Sequence, residues 1–90
     1  MIHLPEGVRV YLYTKPCDMR RSFDVLSQMV ELYFGRNVRG GGIFVFFSRA
    51  RDRAKLLYWD RDGYALWYKR LEAGTFRVSS DNDTEEITGV

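Results

Sequence analysis

Ile43-Phe44-Val45-Phe46-Phe47 is the tightest constraint in this chain. Five apolar residues run without a polar break, so neither side of the segment is suited to water. That is the pattern of a strand covered on both faces. Ser48–Arg53 follows, polar and dense in arginine, and Ala54–Trp59 reads as a second strand. Asp60-Arg61-Asp62-Gly63 then turns the chain, an Asp-Gly hairpin signal in which the glycine is expected to take the positive φ. Tyr64–Leu71 returns as a third strand. Ala73-Gly74 turns again, toward a short further strand expected at Thr75–Val78. Aromatic and β-branched residues crowd all of these segments, as a pleated surface favours.

Upstream, Val8–Tyr13 alternates, with Val8, Val10 and Leu12 on one side and Arg9, Tyr11 and Tyr13 on the other. This is the signature of a half-buried strand. Cys17–Phe34 carries the one strong helical pattern. Phe23, Leu26, Val30 and Tyr33 recur at steps of three and four, with Met19, Met29 and Phe34 beside them. Asp18 or Ser22 is placed to cap its start, and Gly35 to end it. Arg36–Gly42 reads as a basic connection with slack, because three consecutive glycines disfavour regular structure. The order is β-α-β-β-β with the extra short strand. The simplest arrangement is a single α+β domain, one helix packed on a mainly antiparallel sheet. Residues 1–78 are expected to form that domain, and 79–90 an acidic, flexible tail with one helical turn after Thr84.

Ninety residues suffice for one domain burying roughly 60–65% of its unfolded surface. No apolar run approaches the roughly 20 residues of a membrane span. The opening MIHLPEGVRV lacks the layout of a signal peptide, and a single cysteine allows no internal disulfide, so a reducing cytoplasm is expected and no membrane partner. Net charge is only +2, but it is unevenly spread. Residues 35–77 hold ten of the fourteen Lys and Arg residues against four acids, whereas residues 78–90 hold four acids and no base. A basic middle of this kind points to a polyanionic partner.

Arg49, Arg51, Arg53 and Lys55 form the densest cluster, and Arg53 and Lys55 share a face once in a strand. Lys69 and Arg70 point to opposite faces of the returning strand, so one of them is positioned to join. Arginine matches phosphate bidentately, and the cluster is the candidate nucleic-acid contact. The bland reading is a solvated loop whose arginines pair with Asp52, Asp60, Asp62 and Glu72. Tyr58, Trp59, Trp67 and Tyr68 are suited to stack on bases beside that charge, or to pack within the sheet. Arg20 and Arg21, with Asp18 and Asp24, occupy the helix start, either as a phosphate or partner contact or as local ion pairs.

No catalytic constellation is readable. His3 and Cys17 have no partners at metal-ligand spacing. Asp60-Arg61-Asp62-Gly63 lacks the remaining ligands of a calcium loop, so no metal and no cofactor are expected.

Four ordered blocks carry a family resemblance. They are Asp18-Met19-Arg20-Arg21-Ser22-Phe23-Asp24; Phe44-Val45-Phe46 with Arg49; Arg53 through Gly63; and Tyr68-Lys69-Arg70-Leu71-Glu72 with Gly74 and Phe76. Together they resemble the small TnpB-type accessory proteins of bacterial insertion sequences of the sixty-six type. The resemblance implies a non-catalytic role in transposition, beside a separate DDE-type transposase and a second small accessory protein. Ser48 departs from the family pattern, and only Thr84–Val90 echoes its usual C-terminal helix. Two readings follow: DNA binding through the basic loop and strand, or docking on the transposase through a strand edge or aromatic surface without touching nucleic acid.

Overall fold

The computed structural model describes residues 7–78 and 81–88; His3 lies outside them. Five strands form one sheet: β1 Arg9–Pro16, β2 Ile43–Phe47, β3 Arg53–Asp60, β4 Gly63–Arg70 and β5 Thr84–Thr88, in the order β4-β3-β2-β1-β5. β1 and β2 run parallel, joined through helix α1 (Phe23–Phe34) and a 3-10 turn at Val38–Gly40; every other pairing is antiparallel. The chain is therefore α+β, as its patterning predicts.

The unbroken apolar run is β2, and all five of its residues are buried. It lies at the centre of the sheet, so both its faces need cover. On the helix side, Phe44 and Phe46 join Tyr11, Tyr13 and Leu57 beneath Leu26, Met29 and Val30 of α1. Phe34 closes one corner, edge-on to Tyr11 and Phe44 at 5.9 and 5.4 Å between ring centres. On the second face, Val45 and Phe47 join Val10, Ile43 and Ala54, with Phe76 and Val78 packed against them.

Five local readings are corrected. The helix begins at Phe23 rather than Cys17, because the Asp18 carboxylate accepts from the Arg20 backbone N–H at 2.9 Å and ties that segment into a turn. Ser22 holds the N-cap position, but its side chain makes no capping hydrogen bond. In the β3–β4 hairpin the positive φ falls on Arg61, at 54°, and not on Gly63, which pairs with Asp60 inside the ladder.

Thr75–Val78 is not a strand. Gly74 turns at φ 77°, Phe76 donates its N–H to the Arg51 carbonyl at 2.7 Å, and its ring packs 5.6 Å from Phe47. The segment thus roofs the second face instead of extending an edge. Finally, the acidic Thr84–Thr88 segment forms β5 along the outer edge of β1, where a helical turn was expected. β1 is basic at both ends, and Lys15 meets Asp83 at 3.4 Å. Edge pairing satisfies the backbone groups β1 would otherwise leave open.

Candidate nucleic-acid interface

Hairpin geometry decides which basic residues meet. With Asp60 opposite Gly63, the register runs back to place Lys55 opposite Tyr68 and Arg53 directly opposite Arg70. All four lie on the helix side of the sheet, the face of Leu57 and Leu66. Arg53 and Arg70 are both exposed and, together with Tyr68 and Glu72, line an open hollow of about 380 Å³. Like charges directly across an antiparallel pair destabilise it. Glu72 offsets part of this, bridging Arg70 at 3.2 Å. Arg53 has no carboxylate within ion-pair distance among the described residues; its nearest polar side-chain contact is the Tyr68 hydroxyl, at 3.5 Å.

Lys55 sits behind this pair rather than beside it. It is buried, its ammonium donates to the Arg21 carbonyl at 2.7 Å, and it lies 4.9 Å from the centre of the Tyr68 ring. The lysine is a strut that fastens the start of α1 to β3. It also brings the positive end of the helix dipole to the same end of the sheet. Tyr68, half-exposed and stacked against that cation, is the aromatic group beside the charges.

The remaining candidates disperse. Arg49 is exposed on the β2–β3 loop at the same end of the sheet. Arg51 turns inward: its backbone is left-handed at φ 63°, and its Nη2 donates to the Thr14 carbonyl at 2.7 Å. Its Nη1 is buried without a partner among the described residues. The loop around it is tightly tied, since the Ser48 hydroxyl donates to Asp52 and accepts from the Arg53 N–H, both at 3.1 Å. Lys69 points to the second face, opposite Ala54.

Trp59 lies at the far end of β3, its indole N–H donating to the Arg61 carbonyl at 3.1 Å and its ring edge-on to Tyr64. Trp67 lies on the second face opposite Leu56. Neither tryptophan stands beside Arg53 and Arg70.

At the helix start, Arg20 grips Asp18 through Nε and Nη2, the shorter contact at 2.7 Å, and this pairing holds the Asp18 carboxyl well below the usual carboxylate range. Arg21 donates to the Met29 sulfur at 3.2 Å. Burial pushes the Cys17 thiol up, away from a reactive thiolate.

The loop cluster is visible in the sequence, whereas the pairing of Arg53 with Arg70, with Glu72 at its rim, is set by the strand register. The signal was present. Counting outward from a two-residue hairpin loop yields that pairing directly. What the arrangement offers chemically is fixed positive charge, fork-shaped donors and one aromatic face, a set matched to an anion carrying bases.

Comparison with known proteins agrees with the four sequence blocks. Residues 8–89 match the family described as IS66 Orf2 like protein. Two proteins of Sinorhizobium fredii, the uncharacterized proteins y4jC and y4hO, are each 37% identical, over 76 and 75 residues. These alignments cover 84% and 81% of this chain and 65% of each relative's own length. No solved structure matches. Nearly the whole chain is thus accounted for by one family, and the protein belongs to the IS66 Orf2-like proteins.

Proposed function

We propose that this protein is a non-catalytic accessory factor for transposition of an insertion sequence, and that it binds DNA through the end of the sheet carrying Arg53 and Arg70. The transposition context comes from the family. The single observation that supports DNA contact is the direct cross-strand pairing of two exposed arginines, with Lys55 and the start of α1 behind them. Keeping two like charges face to face costs stability, and a phosphate between them removes that cost. Arg49 on the adjoining loop and Arg20 and Arg21 at the helix start extend the charged surface. Arg51 and Lys69 are second-rank contacts, since one side chain is engaged with β1 and the other points to the opposite face. Of the four aromatic residues that the sequence offers for base stacking, Tyr58, Trp59, Trp67 and Tyr68, Tyr68 provides the platform in this reading, because it lies beside Arg53 and Arg70.

A mobility-shift titration with element-end DNA at two salt concentrations tests it. Binding that strengthens at low salt is expected, and Arg53→Ala/Arg70→Ala should flatten the dependence of log K on log salt by roughly two. No binding at low salt, or an unchanged slope, would remove the basis for the proposal.

A second reading is favoured by one feature. β4 is an eight-residue edge strand with Tyr64 and Tyr68 exposed, and strand addition there would dock the transposase or the second accessory protein. Co-purification with the transposase from nuclease-treated lysate, insensitive to the arginine substitutions, would favour it.

A further inference from the structure

Three glycines follow one another at the start of β2, and the fold accounts for two of them. Gly41 has φ 104°, a conformation that residues with a side chain rarely adopt. Gly42 has φ 93°, and a Cβ there would stand 2.7 Å from the Tyr11 ring. Gly40 is different. Its φ lies outside the positive range, and a Cβ added to it would meet nothing within 4 Å. Neither backbone nor packing requires a glycine at position 40.

Gly40 borders a second open pocket of about 350 Å³ at the opposite end of the sheet from Arg53 and Arg70. Arg9, Tyr11, Arg36, Gly41 and Gly42 line it as well. The Gly40 and Gly41 amides are already used, donating to the Asn37 and Val38 carbonyls, so the charged donors that the pocket offers an anion are the Arg9 and Arg36 guanidinium groups. Arg36 lies 4.7 Å over the Tyr11 ring and reaches Glu86 of β5 at 3.7 Å, a loose pair. A cation after the helix C-terminus complements the dipole, which explains Arg36. It explains neither Arg9 nor the missing side chain at position 40.

We infer that this pocket is an anion subsite for a phosphate group, held between Arg9 and Arg36 and admitted to the backbone by Gly40. Glu86 is its internal competitor: it occupies Arg36 in the free protein and yields it to the phosphate. The inference does not depend on the DNA reading, and the phosphate chemistry is the same whether it comes from a free monoester or a polynucleotide backbone.

Amide-resolved NMR titration of the 15N-labelled protein tests it, with inorganic phosphate in one arm and a short DNA duplex in the other. The amides from Asn37 to Gly42 should move and saturate in at least one arm. Response to phosphate alone assigns a free monoester; response to duplex only assigns a backbone diester. Arg9→Ala/Arg36→Ala should weaken the response at least roughly tenfold, as expected for loss of charge-assisted bonds. Gly40→Leu should block it with the melting temperature unchanged, and Glu86→Gln should tighten it by roughly two- to fivefold, the worth of an exposed pair. Still amides in both arms, or an unchanged titration in the double arginine variant, overturns the inference. Shifts confined to the neighbourhood of Arg53 and Arg70 overturn it while leaving the DNA proposal intact. Shifts confined to Asn37–Gly42 do the reverse.

Discussion

On the helix side of the sheet, Phe44, Phe46 and Leu57 are wholly buried beneath three side chains that α1 delivers from one rigid stripe. On the second face, Val10, Ile43, Val45 and Phe47 are roofed by Phe76 and Val78 from an irregular segment. That segment hangs on two backbone hydrogen bonds, from Leu71 to Asp52 and from Phe76 to Arg51, each at 2.7 Å. Leu56, Tyr58 and Trp67 on that face remain half-buried. A helix orders its contacts by its own backbone bonding. An irregular roof orders them only by the contacts it makes, so its share of the core is smaller and looser.

The largest expected contrast lies in core truncation. Phe46→Ala removes a fully buried ring and should cost about 3–5 kcal/mol. Phe76→Ala, already part-exposed, should cost about 1–2 kcal/mol. Urea unfolding of both variants measures the difference; equal losses would show that the two faces are packed alike. Next in size is Lys55→Ala, which strips the strut from the Arg21 carbonyl and should cost about 1–3 kcal/mol. Lys55→Met keeps the aliphatic stem and should recover part of the loss, whereas full recovery would mean the ammonium contributes nothing to docking α1.

Smaller, and opposite in sign, is Arg53→Ala/Arg70→Ala. Relieving the facing charges should leave stability unchanged or raise it by about 0.2–1 kcal/mol while DNA affinity falls. A clear loss of stability would mean the pair serves the fold instead.

The smallest effect concerns pH. Asp18 has its folded pKa lowered by Arg20, so its contribution is present above the ordinary Asp value of about 3.9 and is lost as pH falls through the lower folded value. Arg20→Ala should raise the titration of the Asp18 carboxyl resonance part of the way toward that ordinary value, since the side-chain bonds are lost and the backbone N–H of residue 20 remains. No change in its NMR titration would show the pairing is not kept in solution.

β2, β3 and β4 were legible in the sequence because their information is local: an unbroken apolar run, segments crowded with aromatic and β-branched residues, and an Asp-Gly turn between β3 and β4. The same locality made the Arg53–Arg70 register readable in principle. β5 was not legible. Thr-Glu-Glu-Ile-Thr has little apolar surface of its own, and its strand state comes from the open edge of β1, some seventy positions earlier in the chain. The inward turn of Arg51 is non-local too, aimed at a carbonyl 37 residues away. The start of α1 was misplaced for the reverse reason: a short-range Asp18–Arg20 hydrogen bond outcompeted helix propensity that the periodicity alone suggested.

β1 and β5, the first and last of the described strands, lie side by side, and β1 is an interior strand only because β5 flanks it. The outer side of the sheet is therefore completed by pairing between two strands far apart in the chain. Without β5, the outer edge of β1 would present an open row of backbone N–H and C=O groups, a template for strand addition.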